Sequence, residues 1–451
     1  MMTRLSTFFV GIALTASLWS QSVAQERSSV VTQPDVQNQT QLALKVKATL
    51  VGHEGQVFAV AFSPNGESLA TASDSDDGTR LWNTAAGQLV AELDGTTPLF
   101  SPDGQVLLTI RKTTLTLWDA VNGKFKLSLT GHEGRITSAS FSSDGSKLAT
   151  GSEDGTVRLW DVATGRTTST LIVWRVKKIP RYRIISRAMH VPVEVYAKFS
   201  PDQQSVLTTT YWEDSRAKLW DATGGSLRTE LGGPMVKTIY YETKEAGVTA
   251  ANFSQDGKFI LTQSDGMVKL WETASHKAIE EFQGSFSVMK FSPDSKWLGL
   301  ISTGKDVAFL NLETLKLQPI SKVETDYLNQ QAFSPDSRTC VIGSGYNHYH
   351  ATLIDVLSGR VRANIPLVAK WGFDIISEYQ KDVDVLSFHP SSNFLMGANH
   401  NAVRMWDVSS GALLWETIEG RDPARFSRDG NLLVTVGKDK KTVLLWTVES
   451  N

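Results

Sequence analysis

The chain has 451 residues, 41% apolar and 20% charged, and its 45 basic and 47 acidic side chains leave a formal charge of -2. This composition supplies ample material for a core. The near-neutral balance removes any whole-molecule reason to expect a nucleic-acid partner, so charge-driven binding has to be local.

Residues 1–24 combine Arg4, an apolar run from Phe8 to Trp19, and the small residues Ser22 and Ala24. These features read as a secretory signal cut after Ala24. The run falls short of the ~20 residues a spanning helix needs, so no stable membrane insertion is expected after cleavage. Cys340 is the single cysteine. It excludes internal disulfides and reads as a small buried strand residue. An exported chain without disulfides points to the bacterial periplasm or exterior. Residues 25–41 are polar, contain Pro34 and read as a flexible leader; residues 42–449 read as one folded domain.

From residue 42 onward the chain repeats itself. A Phe-Ser-turn string recurs at Phe62, Phe100, Phe141, Phe199, Phe253, Phe291, Phe333, Phe388 and Phe426, with spacings of 38 to 58 residues. Each is followed 18 to 21 residues later by Trp82, Trp118, Trp160, Trp220, Trp271, Leu310, Ile354, Trp406 or Trp446, so seven of the 13 tryptophans occupy one slot. A core period near 40 residues is that of a four-stranded blade. Within one unit, ITSASF, SKLATGS and TVRLWD alternate as strands, and Asp144-Gly145 and Asp154-Gly155 supply the turns between them. A fourth strand follows VATGR. Such sheets bury both faces only by stacking radially.

The stretch GHEGRITSASFSSDGSKLATGSEDGTVRLWDVATGR resembles a WD-repeat unit throughout, and weaker copies run from about residue 43 to 448. The resemblance to the WD40-repeat family implies an all-β propeller of eight to nine four-stranded blades, with nine counted. It also implies closure by the N-terminal strand, residues 42–50, joining the last blade, because the final unit stops after its third strand. Leu310 and Ile354 depart from the tryptophan pattern, and only His53 and His132 keep the Gly-His pair. The departing blades are expected to pack with fewer internal hydrogen bonds.

Ser152, His132 and Asp154 together invite a hydrolase reading. The resemblance instead implies a structural network with Trp160, in which the histidine bonds the aspartate and the serine, and the serine bonds the indole. No nucleophile elbow accompanies them. His348 and His350, two apart, with His389 or His400 from a neighbouring unit, are too few for a convincing metal site. No metal and no cofactor are expected.

Function is expected in the insertions, at about 172–193, 233–248 and 366–384, and in widened hairpins on the same face of the disc. The first insertion holds Trp174, Arg175, Lys177, Lys178, Arg181, Arg183 and Arg187 without an acid; Trp212, Tyr240, Tyr241, Tyr346, Tyr349 and Trp371 lie in or beside the others. Aromatic and arginine side chains are common interface anchors. The sequence therefore reads as a non-catalytic protein-binding scaffold. The alternatives are an envelope-polymer or carbohydrate binder using the same face, and an exported propeller enzyme with a funnel site.

Overall fold

The computed structural model describes residues 42–75, 78–173, 194–210, 216–232, 235–236, 244–245, 247–264, 266–284, 286–302, 307–320, 323, 328–344, 350–366, 385–399 and 401–450. Among these residues lie nine four-stranded antiparallel sheets and one two-stranded ladder, Met235–Val236 with Lys244–Glu245, inside the second insertion. Eight sheets are consecutive meanders whose inner strands begin at Val57, Thr96, Ile136, Val195, Val248, Phe286, Leu328 and Val385. The ninth takes Gly420–Phe426, Leu432–Gly437 and Val443–Ser450 from the C-terminus and Leu42–Leu50 from the N-terminus. Register runs from Leu42 opposite Ser450 to Leu50 opposite Val443. The expected closure is thus met, and the count resolves at nine blades.

The core lies between blades. Each of nine apolar clusters spans one junction: Ala70, Leu81 and Leu93 of blade 1 meet Phe100 and Leu107 of blade 2, and so on round the ring. Val434, Val436 and Val443 of blade 9 then pack on Val57, Leu69 and Trp82 of blade 1. The Phe of the repeated string sits in these clusters, facing the preceding blade, as Phe199 does against blade 3. Inner strands of neighbouring blades lie side by side, and Thr137 and Ser138 donate to the Val195 carbonyl at 2.7 and 2.9 Å.

Turn chemistry explains the repeated string. Ser142 Oγ donates to Asp144 Oδ1 at 2.7 Å and accepts the Lys147 N–H, while Gly145 takes φ +73°. In blades 6, 7 and 8 that glycine is replaced by Ser295, Ser337 and Ser392, at φ +58°, +61° and +66°. Each of these hydroxyls accepts the backbone N–H of the preceding blade's turn aspartate, at 3.0 Å from Asp256, 3.0 Å from Asp294 and 3.1 Å from Asp336. The substitution costs backbone strain and returns a bond between blades.

Candidate binding site

In the slot shared by the tryptophans, the indole N–H donates to a threonine on the second strand. The pairs are Trp82–Thr71, Trp118–Thr109, Trp160–Thr150, Trp220–Thr208, Trp271–Thr262 and Trp446–Thr435, at 2.8 to 2.9 Å. Where the indole is replaced, the hydroxyl goes too: Leu310 accompanies Leu300, and Ile354 accompanies Ile342, at the same register positions. Trp406 is retained while Gly397 takes the threonine's position. These three blades are the ones whose turns carry serine.

The network in blade 3 differs from the sequence expectation in its central hydroxyl. His132 Nδ1 meets Asp154 Oδ2 at 2.7 Å, and His132 Nε2 meets Thr150 Oγ1 at 2.8 Å. The Trp160 indole also bonds Thr150, so the hydroxyl that joins histidine to indole is Thr150 and not Ser152. Ser152 Oγ donates to the Gly134 carbonyl at 2.9 Å and accepts the Asp154 N–H. Burial opposes ionisation of Asp154, but hydrogen bonds from His132 and Thr156 outweigh it and hold the carboxyl well below its usual range. No serine–histidine pair forms here, so the arrangement has no activated nucleophile. Blade 1 repeats the pattern with His53 Nε2 on Thr71 at 2.7 Å. Gly131 before His132 takes φ +149°, a conformation that L side chains rarely adopt, which accounts for the glycine of the Gly-His pair.

Of the histidines considered for a metal, His348 and His400 lie outside the described residues, and His350 opens the strand His350–Asp355. His389 is committed to turns: Nδ1 accepts the Ser391 N–H, and Nε2 contacts the Gly430 carbonyl of blade 9 at 2.9 Å. Among the described residues no group of three or more His, Cys, Asp or Glu is placed to hold a metal. Cys340 is fully buried, and burial pushes its thiol up to about 12.

The proposed contact residues Trp174, Arg175, Lys177, Lys178, Arg181, Arg183, Arg187, Trp212, Tyr240, Tyr241, Tyr346, Tyr349 and Trp371 all lie outside the described residues. The described flanks shorten the insertions. Ile172 ends a blade strand, Val173 is buried in the blade 3–4 core, Val248 opens the next inner strand, and Pro366 closes another.

Two surface features escaped the sequence reading. On the outer strands, the residue paired with the slot position is Val46, Leu89, Phe125, Leu227, Leu317 or Leu413 in six blades, each 45 to 60% exposed. Together they form a discontinuous apolar belt round the rim. Two residues along, cations pair across to the outer strand: Arg80–Glu92, Lys269–Glu281 and Arg404–Glu416, at 2.8 to 3.0 Å. The first such pair borders a cleft of about 260 Å³ between blades 1 and 2, which Arg111 and Asp94 also line as an ion pair. A larger cleft of about 510 Å³, between blades 2 and 3, is lined by Asp103, Asp144 and Lys126. The Ser101 hydroxyl holds the Asp103 carboxyl below its usual range, and the Ser142 hydroxyl does the same for Asp144.

Comparison with known proteins places the architecture. The WD40 family model (WD domain, G-beta repeat) matches residues 44–83, 123–161 and 235–272. Eukaryotic translation initiation factor 3 subunit I of Neosartorya fischeri is 25% identical over 285 residues, 58% of this chain and 76% of that protein. The same subunit of Saccharomyces cerevisiae strain S288c is 25% identical over 278 residues, 58% and 74% of the two chains. The guanine nucleotide-binding protein subunit beta of Oryza sativa subsp. indica is 25% identical over 255 residues, 52% and 61%. Among solved structures, the computationally designed Ika8 protein superposes with a TM-score of 0.53 at 17% identity, covering 89% of this chain and 99% of that one, and is similar in fold.

These relatives correct the expected address. The first 24 residues and the lack of disulfides lead one to expect a bacterial periplasmic or secreted protein. The relatives are instead eukaryotic translation-initiation and guanine-nucleotide-binding subunits from fungi and a plant, which points away from an exported bacterial protein. The apolar run on which the reading rested lies outside the described residues. The repeat matches, the relatives and the nine closed blades agree, and the chain is a WD40-repeat β-propeller protein.

Proposed function

We propose that residues 42–449 form one propeller domain acting as a non-catalytic scaffold, which binds a protein partner through the loops of one face. The observation that carries this reading is where the insertions join the ring. Because every blade is an antiparallel meander, the link from a fourth strand to the next inner strand and the hairpin from second to third strand leave from the same face. Residues 174–193, 211–215, 237–243, 345–349 and 367–384 all belong to those two classes of connection. The side chains gathered there by sequence are the aromatic and arginine types that anchor interfaces. On the opposite face the turns are short and their serines and aspartates bond each other, as Ser200 with Asp202 and Ser427 with Asp429 do. The one constellation that resembled a catalytic set is spent on structure.

The test is capture from an extract of the source cells with three baits: the full chain, a variant in which residues 175–192 are replaced by a short Gly-Ser linker, and Trp212→Ala/Tyr346→Ala/Tyr349→Ala. Keeping Ile172 and Val173 leaves the blade 3 strand and its core contact intact. The reading expects a defined protein retained by the full chain and lost from a folded variant. Identical retention by all three baits would exclude this face.

A further inference from the structure

The residue just before the repeated Phe occupies one level of the central channel. The Phe side chains anchor every inner strand in the same kind of junction, so the preceding residues come to equivalent heights: Ala61, Leu99, Ser140, Lys198, Asn252, Lys290, Ala332, Ser387 and Arg425 in blades 1 to 9. Each inner strand has its second strand on one edge and neighbouring blades on its flanks, so its free edge faces the axis. Lys198, Asn252, Lys290 and Arg425 are exposed. The level therefore holds three cations, three hydroxyl or amide groups and no acid.

Their lack of counter-charge sets these cations apart. Among the described residues Asp422 is the single acid on the inner strands, although the whole chain is slightly acidic. Lys198, Lys290 and Arg425 form no ion pair with the described residues, whereas the third-strand cations Arg80, Lys269 and Arg404 each pair with a glutamate of the adjacent outer strand. Arg421, the other inner-strand cation, lies close enough to Asp439 to lower its carboxyl and is set aside. Lys290 is exposed as a residue, and burial draws its ammonium below the ordinary lysine value. Beside it, the buried Gln331 carries an Oε1 without a hydrogen-bond partner and packs on Gly299, where a Cβ would lie 1.7 Å from its Nε2. Unpaired like charges between low-dielectric walls repel one another and focus a positive potential.

We propose that this level of the channel, built from Lys198, Lys290 and Arg425 with Ser140, Asn252 and Ser387, is a binding site for a compact, multiply charged anion of the phosphate type. The donors occupy one level and are not spread along the axis, which fits a compact ligand better than a threaded acidic peptide. Tetrahedral oxyanions accept hydrogen bonds from ammonium, guanidinium, hydroxyl and amide groups alike. This site is independent of the loop face and stands or falls separately from it.

The experiment is calorimetric titration of the full chain with inorganic tripolyphosphate, orthophosphate and poly-glutamate at matched ionic strength. The chain should bind one tripolyphosphate, more tightly than orthophosphate and more weakly as salt is raised. Lys198→Gln, Lys290→Gln and Arg425→Gln should each weaken binding about tenfold. Lys290→Arg should bind as the native chain does, and so should Lys45→Gln on the rim. Thermal unfolding of each variant verifies that the ring is intact. Absence of tripolyphosphate binding, undiminished binding by the folded triple variant, or binding of poly-glutamate alone would each overturn the proposal.

Discussion

Thr150 serves two partners at once, accepting the Trp160 indole N–H and bonding His132 Nε2 in a fully buried position. Replacing it with valine keeps the shape and strands both groups, so Thr150→Val should cost about 1–3 kcal/mol in denaturant unfolding. Ser152→Ala removes the donation to the Gly134 carbonyl and the acceptance of the Asp154 N–H but leaves the histidine and the indole bonded, and should cost less than the threonine change, about 0.5–1.5 kcal/mol. A larger loss for the serine would return it to the centre of the network. Sequence could not choose between these residues, because they lie two apart on one strand and so share a face. The choice follows from register: Trp160 opposes Leu148, which puts its indole diagonally against Thr150.

His389 gives the residue scale a pH dependence. The Ser391 N–H donates to Nδ1, so the proton sits on Nε2 and is donated to the Gly430 carbonyl. Burial lowers the pKa of this ring. A histidine whose folded pKa lies below its unfolded value of 6.5 contributes fully above 6.5, and that contribution is lost as pH falls toward the folded value. His389→Ser installs the residue found at this point in the other eight turns. The native chain's stability relative to the variant should decline from pH 8 to pH 5. A flat difference across that range would remove the histidine from the account.

At the scale of the element, the nine units were legible because turn and slot recur at nearly constant spacing, and both are imposed by blade geometry. Sequence also anticipated fewer internal bonds in the blades of Leu310 and Ile354. It did not disclose that blade 8 joins them through Gly397, nor that the turns of these three blades carry Ser295, Ser337 and Ser392 as links to their neighbours. A serine in place of a turn glycine looks like drift until the adjacent blade is in position. Ser337→Gly loses that bond but relieves a φ of +61°, whereas Ser337→Ala loses the bond and keeps the strain. The alanine variant should therefore unfold more easily than the native chain, by about 1 kcal/mol. Equal stabilities would show that the link contributes nothing.

On the scale of the whole molecule, closure rests on Leu42–Leu50, which carries Leu42 into the blade 8–9 core and Leu50 into the blade 9–1 core. Removing residues 42–50 leaves the edge of Val443–Ser450 unpaired and opens both junctions. The shortened chain should lose its cooperative thermal transition and associate in sedimentation velocity. A monomer melting as the native chain does would contradict closure by this strand. The inner-strand cations were hidden from sequence for a related reason: Lys198, Lys290 and Arg425 are more than 90 residues apart and fall on equivalent positions of the ring only once the blades are aligned.

The rim belt of Leu89, Phe125 and Leu413 and the loop face are the two broad surfaces available to a partner. Hydrogen–deuterium exchange of the chain with and without its captured partner separates them directly. The account predicts protection confined to residues 174–193, 211–215, 237–243, 345–349 and 367–384. Protection of the outer strands or of the short serine–aspartate turns, with those segments unchanged, would contradict it.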